Sequence, residues 1–235
     1  MANNQHQDWH VFVGNVPLVT IAPLAKGIGE QRLVQDPAGS GKEYLYYQYY
    51  TYFPLTEKSA MSTGKYLKFR DALFIDKAIG KFNEIIKELI TEKNQQLGTE
   101  RFHLVDVCQN LTNMAYKRNR GNPSYQYPAA FDDMYPPVDT KYYHVNRNGV
   151  IESGGMFSLD GIHPSAIGQG IIAWEFLKIM QAVRPELTDQ TLNWSEIVQT
   201  DSLIQEPITL MSEIYEHDKL VDFLANIANV LRIKD

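Results

Sequence analysis

The chain has 235 residues, 44% of them hydrophobic, with 22 basic and 28 acidic side chains and a formal net charge of -6 at pH 7. That length and apolar content suit one sizeable α/β domain spanning residues 1–235, and the acid excess argues against a surface for nucleic acid or anionic membrane. A single cysteine, Cys108, excludes an internal disulfide framework and a multi-cysteine metal site.

In chain order, the polar start of the sequence does not read as a secretion signal, and the compartment stays open. No apolar run reaches the roughly 18 residues of a membrane-spanning helix. His10-Val11-Phe12-Val13 is a short apolar run ending at Gly14-Asn15. It reads as a buried parallel strand with a loop at its carboxyl end, the edge where doubly wound sheets bind ligands. Residues 27–43 read as a surface loop. Within it, Gly39-Ser40-Gly41-Lys42 invites a phosphate-loop reading, which fails. The motif's first glycine is absent, Glu43 stands where a Ser or Thr belongs, and no strand precedes it.

Residues 44–53 hold six tyrosines. Aromatic and β-branched content favours an extended strand, either a packed hairpin or oligomer contact, or a wall for substrate. With the preceding loop it makes an insertion over 27–65. Residues 68–93 then read as a long amphipathic helix whose apolar stripe is Leu73, Ile75, Ile79, Phe82, Ile85, Ile86 and Leu89, with Gly98 as its stop. Residues 102–108 read as a second strand, giving a βαβ pattern. Cys108 and His103 would face opposite sides of that strand, so Cys108 reads as a small buried hydrophobe. Asp106 reads as a closing or capping residue. Lys117-Arg118-Asn119-Arg120, the one basic cluster, reads as a solvated loop within the loop-rich residues 110–152. His144, also there, reads as structural.

The stretch from Gly154 and Gly155 to Gly170 carries the chemistry. Asp160-Gly161-Ile162-His163-Pro164 reads as a loop that delivers an acid and a base to the start of a helix over about 165–181. Pro164 suits the first helical position. A histidine acting as general base needs a carboxylate on its other ring nitrogen to hold its tautomer, and a bent loop lets Asp160 reach His163. The plain alternative is that Asp160 caps the loop and His163 is a surface residue. Beyond it, helices at about 193–203 and 209–231 form a helical extension over 185–235.

Asp160-Gly161-Ile162-His163-Pro164, followed by Ser165-Ala166-Ile167-Gly168-Gln169-Gly170 and an apolar helix, resembles the last block of the SGNH (GDSL-type) serine esterases and acylhydrolases. Val13-Gly14-Asn15-Val16-Pro17, Phe82-Asn83 and Val105-Asp106 are similar to other parts of that family, over roughly residues 9–20 and 66–180. The resemblance implies a flavodoxin-like three-layer α/β/α fold, incomplete at its N-terminal side, with extra C-terminal helices. It also implies a Ser-Asp-His mechanism in which Asp160 orients and His163 is the base. Asn15 becomes a candidate substrate-binding residue, with turn formation as the alternative.

The family's Gly-Asp-Ser and Gly-x-Asn-Asp blocks have no counterpart, and none of the ten serines follows an apolar strand as an exposed nucleophile would. Three expectations follow. One is a hydrolase of small-molecule or lipid esters, with no cofactor, whose nucleophile lies elsewhere. That reading includes a homo-oligomer, or pairing with a missing N-terminal segment that fills an open sheet edge. The second is a non-catalytic binding or assembly protein on the same scaffold. The third, a metal-assisted hydrolase with Asp160 and His163 as ligands, lacks a second ligand cluster.

Overall fold

The computed structural model describes residues 8–133 and 156–201, apart from 38, 53, 54, 116, 121 and 159. The helix expected over 209–231, His144, Gly154 and Gly155 lie outside the described residues. The fold is mixed α/β. Its elements are β1 (Val11–Gly14), β2 (Ala25–Gln35), β3 (Glu43–Tyr52), α1 (Glu57–Thr63), β4 (Leu67–Lys68), α2 (Phe69–Leu97), β5 (Phe102–Val105), α3 (Val107–Met114), α4 (Ala166–Val183) and α5 (Trp194–Thr200). No described helix is long and apolar enough to cross a membrane.

Two sheets share the helix α2. Strands β1 and β5 pair in parallel, Val11 opposite Phe102 through Gly14 opposite Val105. Strands β2, β3 and β4 form an antiparallel sheet in that order. Parallel neighbours need a crossover, and α2 supplies it, as the βαβ reading expected. Among the described residues the parallel sheet has two strands. Helix α2 packs on β5 and β3, and α4 packs on β1 and β5. The main core gathers Leu18, Ile21, Val105, Leu111, Met114, Ile167 and Ile171.

Four expectations need correction. Residues 25–35 are strand, not loop: most of β2 is exposed, so its residues show no buried alternation, and pairing with β3 holds it extended. The register shifts between Ile28 and Gln31, where Gly29 has φ 75° and makes a bulge. The tyrosines of β3 are a packed hairpin, with Tyr44, Tyr46 and Tyr50 buried against Ala72 of α2.

The second correction concerns α2. Phe82, Ile85 and Leu89, read as its buried stripe, are exposed, Phe82 at 62%. Ala72, Asp76, Gly80 and Asn83 take the buried face. The reason is hydrogen bonding. Asn83 accepts from Val16 N (2.9 Å) and donates to Val16 O (2.8 Å), which pins the loop after β1. Backbone polar groups buried at strand ends need such partners. Gly98, with φ 65°, ends the helix as expected.

Third, Cys108 lies on α3 rather than on a strand. Asp106 caps that helix by accepting from Gln109 N at 3.0 Å. Cys108 is buried, as expected, and burial pushes its thiol up to about 12.

Fourth, Lys117 and Arg118 do not form a solvated loop. The Arg118 side chain is 0% exposed and donates to Asp76 Oδ2 (3.0 Å), Leu45 O (2.8 Å) and the Tyr50 hydroxyl (2.9 Å). Its guanidinium also lies 3.6 Å from the centroid of the Tyr46 ring. Tyr46 and Thr20 donate to the same Asp76 oxygen. The Lys117 ammonium position donates to Ala22 O (2.6 Å) and Ala25 O (2.7 Å).

Candidate active site

Residues 156–158 and 160–165 form the two sides of a closed loop. Ser165 N donates to Met156 O (2.9 Å), Ser158 N donates to His163 O (2.7 Å), and Phe157 bridges Pro164. Pro164 therefore sits before the helix and not in its first turn. Ser165 is the N-cap of α4, accepting from Gly168 N at 3.1 Å. Gly161 makes the tight turn at φ 70°, and a Cβ there would stand 2.8 Å from Leu24 N. That close approach has a purpose: Leu24 N donates to Gly161 O at 2.9 Å, docking the loop on the turn before β2.

Inside the loop Asp160 collects four donors. Oδ1 accepts from Ser158 Oγ (2.8 Å), Ile162 N (2.9 Å) and His163 N (2.9 Å). Oδ2 accepts from His163 Nδ1. The His163 bond, then the two backbone amides, hold the Asp160 carboxyl well below the usual carboxylate range. An ionised acceptor on Nδ1 fixes the neutral imidazole with its proton there, leaving the Nε2 lone pair to act. The His163 side chain is 80% exposed, so a reacting group can reach it. Asp160 thus closes the turn through Ile162 N and His163 N and also bonds the His163 ring, so the loop carries the contacts of both the capping and the orienting readings.

The nearby hydroxyls are otherwise engaged. Ser158 serves Asp160, and Ser165 caps α4. Asn15 sits at the end of β1, donating to Asp106 Oδ1 (2.8 Å) and accepting from Cys108 N (2.7 Å). These long-range bonds join the end of β1 to the start of α3, and none of them goes to Asp160 or His163. His103 Nε2 pairs with His10 Nδ1 at 2.8 Å and belongs to the β1–β5 sheet. Among the described residues no three His, Cys, Asp or Glu side chains gather where they could hold a metal ion.

Residue patterns missed what surrounds the loop. Ile162, between acid and base, lines a groove of about 790 Å³ together with the turn before β2, the end of β3 and the segment from α1 to β4. No local pattern marks that groove, because its walls come from four separate stretches. The acid Asp76, directly after the apolar run Leu73-Phe74-Ile75, was the available sign of the buried network beneath it. The chain matches no family model, no curated protein and no solved structure.

Proposed function

We propose that the chain is an ester hydrolase of the SGNH (GDSL) type, with Asp160 and His163 as its orienting acid and general base. The observation that carries this reading is the bond from His163 Nδ1 to Asp160, in a loop that leaves the rest of the imidazole open to solvent. The α2–sheet–α4 packing suits part of a flavodoxin-like α/β/α scaffold. His163 Nε2 would take the proton from a serine hydroxyl as it attacks an ester carbonyl. Asp160 stabilises the resulting imidazolium, and His163 returns the proton to the departing alcohol. Water then clears the acyl-enzyme by the same proton path. The serine and the oxyanion donors come, on this reading, from outside the described residues or from another polypeptide.

The test is labelling of the purified chain with a fluorophosphonate serine probe, followed by peptide mapping. The expected result is label on one serine, either in this chain or in residues encoded upstream and added back, abolished by His163→Ala. Triad members act as a unit, so hydrolysis should fall by about three orders of magnitude or more in that variant. Absence of label in every format, or label indifferent to His163, would leave a non-catalytic binding protein as the better reading.

A further inference from the structure

We propose that the groove beside the Asp160–His163 loop is an acyl-chain site, and that it selects esters with a medium-length alkyl chain over acetyl esters. This rests on the hydrolase reading for its catalytic meaning, although binding in the groove does not depend on turnover.

Position comes first. Ile162 stands between the acid and the base in sequence and also lines the groove, so the groove borders the loop that carries His163. Its volume of about 790 Å³ falls in the range of sites that enclose small organic ligands, roughly 300–1,000 Å³. An acetyl group would leave most of it empty.

Lining chemistry comes second. Val19, Leu24, Leu55, Leu67 and Ile162 offer aliphatic surface. Three large apolar side chains exposed at the protein surface, Val19, Ile162 (46%) and Tyr52 (59%), line this one groove. Scattered exposed apolar residues are ordinary, but their gathering around a concavity marks a ligand site. The Thr20, Thr51 and Tyr50 hydroxyls of the lining are engaged with internal partners, and Arg118 donates to that of Tyr50. Thr20 Oγ1 donates to Asp76, and Thr51 Oγ1 donates to Lys65 O at 2.6 Å. With those three groups engaged, the aliphatic walls supply most of the contact, which an alkyl chain satisfies, and the Tyr52 and Tyr66 phenols are the further polar groups of the lining. Lys65 is the charged member of the lining, and a long lysine stem packs along apolar ligands as readily as its head meets water.

The floor is rigid. Lys117 ties the carbonyls of Ala22 and Ala25, and the Arg118–Asp76 pair fixes Thr20 and Tyr50. The same turn, through Leu24 N, holds Gly161 of the catalytic loop. A chain bound in the groove therefore lies against the backbone that positions His163.

The experiment uses the full chain carrying His163→Ala, so that nothing is turned over. Isoleucine and leucine methyl NMR signals are followed during titration with methyl octanoate, and separately with methyl acetate. Saturable shifts at Leu24, Leu55 and Ile162 with the octanoate, and about tenfold weaker or no binding with the acetate, are expected. Leu55→Asp, which puts a charge in the apolar lining, should abolish the octanoate shifts in a chain whose remaining spectrum is unchanged. Tyr52→Ala, at the exposed rim, gives a second variant with no folding risk and should weaken binding. Equal binding of both esters, shifts elsewhere, or octanoate binding indifferent to Leu55→Asp and Tyr52→Ala would overturn the proposal. A groove that binds octanoate in a chain that no serine probe ever labels would retire the hydrolase reading and leave the groove standing.

Discussion

Asp160 receives three bonds from its own loop and one from an imidazole, and the imidazole is the largest single cause of its depressed titration. In His163→Ala the carboxyl midpoint, followed by carboxyl ¹³C NMR, should rise toward the ordinary aspartate range. It should stay somewhat low, because the Ile162 and Ser158 donors remain. The sign for stability follows from linkage. A carboxyl that titrates lower in the folded chain stabilises it fully above the ordinary value of about 4 and loses that contribution as pH falls through the folded value. Gly161 makes a second prediction. Alanine there meets both a positive φ and the Leu24 amide at 2.8 Å, so Gly161→Ala should cost about 1–3 kcal/mol in urea denaturation. The loop should undock as it does so, and any His163-dependent labelling should drop with it. The Asp160–His163 pair was legible in the sequence because its bonds span three residues; the Leu24–Gly161 contact was not, since 137 positions separate its ends.

Among elements, a buried ion pair joins Asp76 of α2 to Arg118 on the segment after α3, and Arg118 also donates to Leu45 O and the Tyr50 hydroxyl of β3. Arg118 and Asp76 are both fully inaccessible, and Oδ1 of Asp76 has no partner among the described residues. Removing one member leaves the other charge buried alone, so Arg118→Met should destabilise by about 3–5 kcal/mol. The pair Arg118→Met with Asp76→Leu should recover a large part of that loss. Chemical denaturation of the two single variants and the double variant forms the cycle that checks it. The ends of α2 were readable from Gly98, yet its inner face was not. Apolar periodicity assumes that hydrophobic residues face the core, and here Asp76 and Asn83 face inward because strand ends and Arg118 need them.

At the scale of the whole molecule, Lys117 couples the segment after α3 to the turn on which the Asp160–His163 loop docks. Burial lowers its titration well below the ordinary lysine value of 10.5. Between its folded value and 10.5 the unfolded chain binds the extra proton, so global stability rises with pH across that window. Lys117→Met should flatten that rise, measured as urea midpoints from neutral pH up to about 10. It should also remove the Lys117 donor from the carbonyls of Ala22, which keeps its bond from Ala25 N, and Ala25, loosening Leu24 and the loop it holds.

By itself the sequence determined what depends on neighbours within a turn or on repeating pattern. That covers the α/β character, the β1–α2–β5 crossover, the Gly98 stop, the Asp106 cap, and the pairing of Asp160 with His163. Only tertiary structure decided the remaining features. Strand β2 is extended because β3 pairs with it, Arg118 is buried and Lys117 partly so because a carboxylate and distant carbonyls receive them, and the groove exists because four separate segments, Ile162 among them, converge. Hydrogen bonds and burial between remote segments leave no periodic trace in the chain, and these features rest on them.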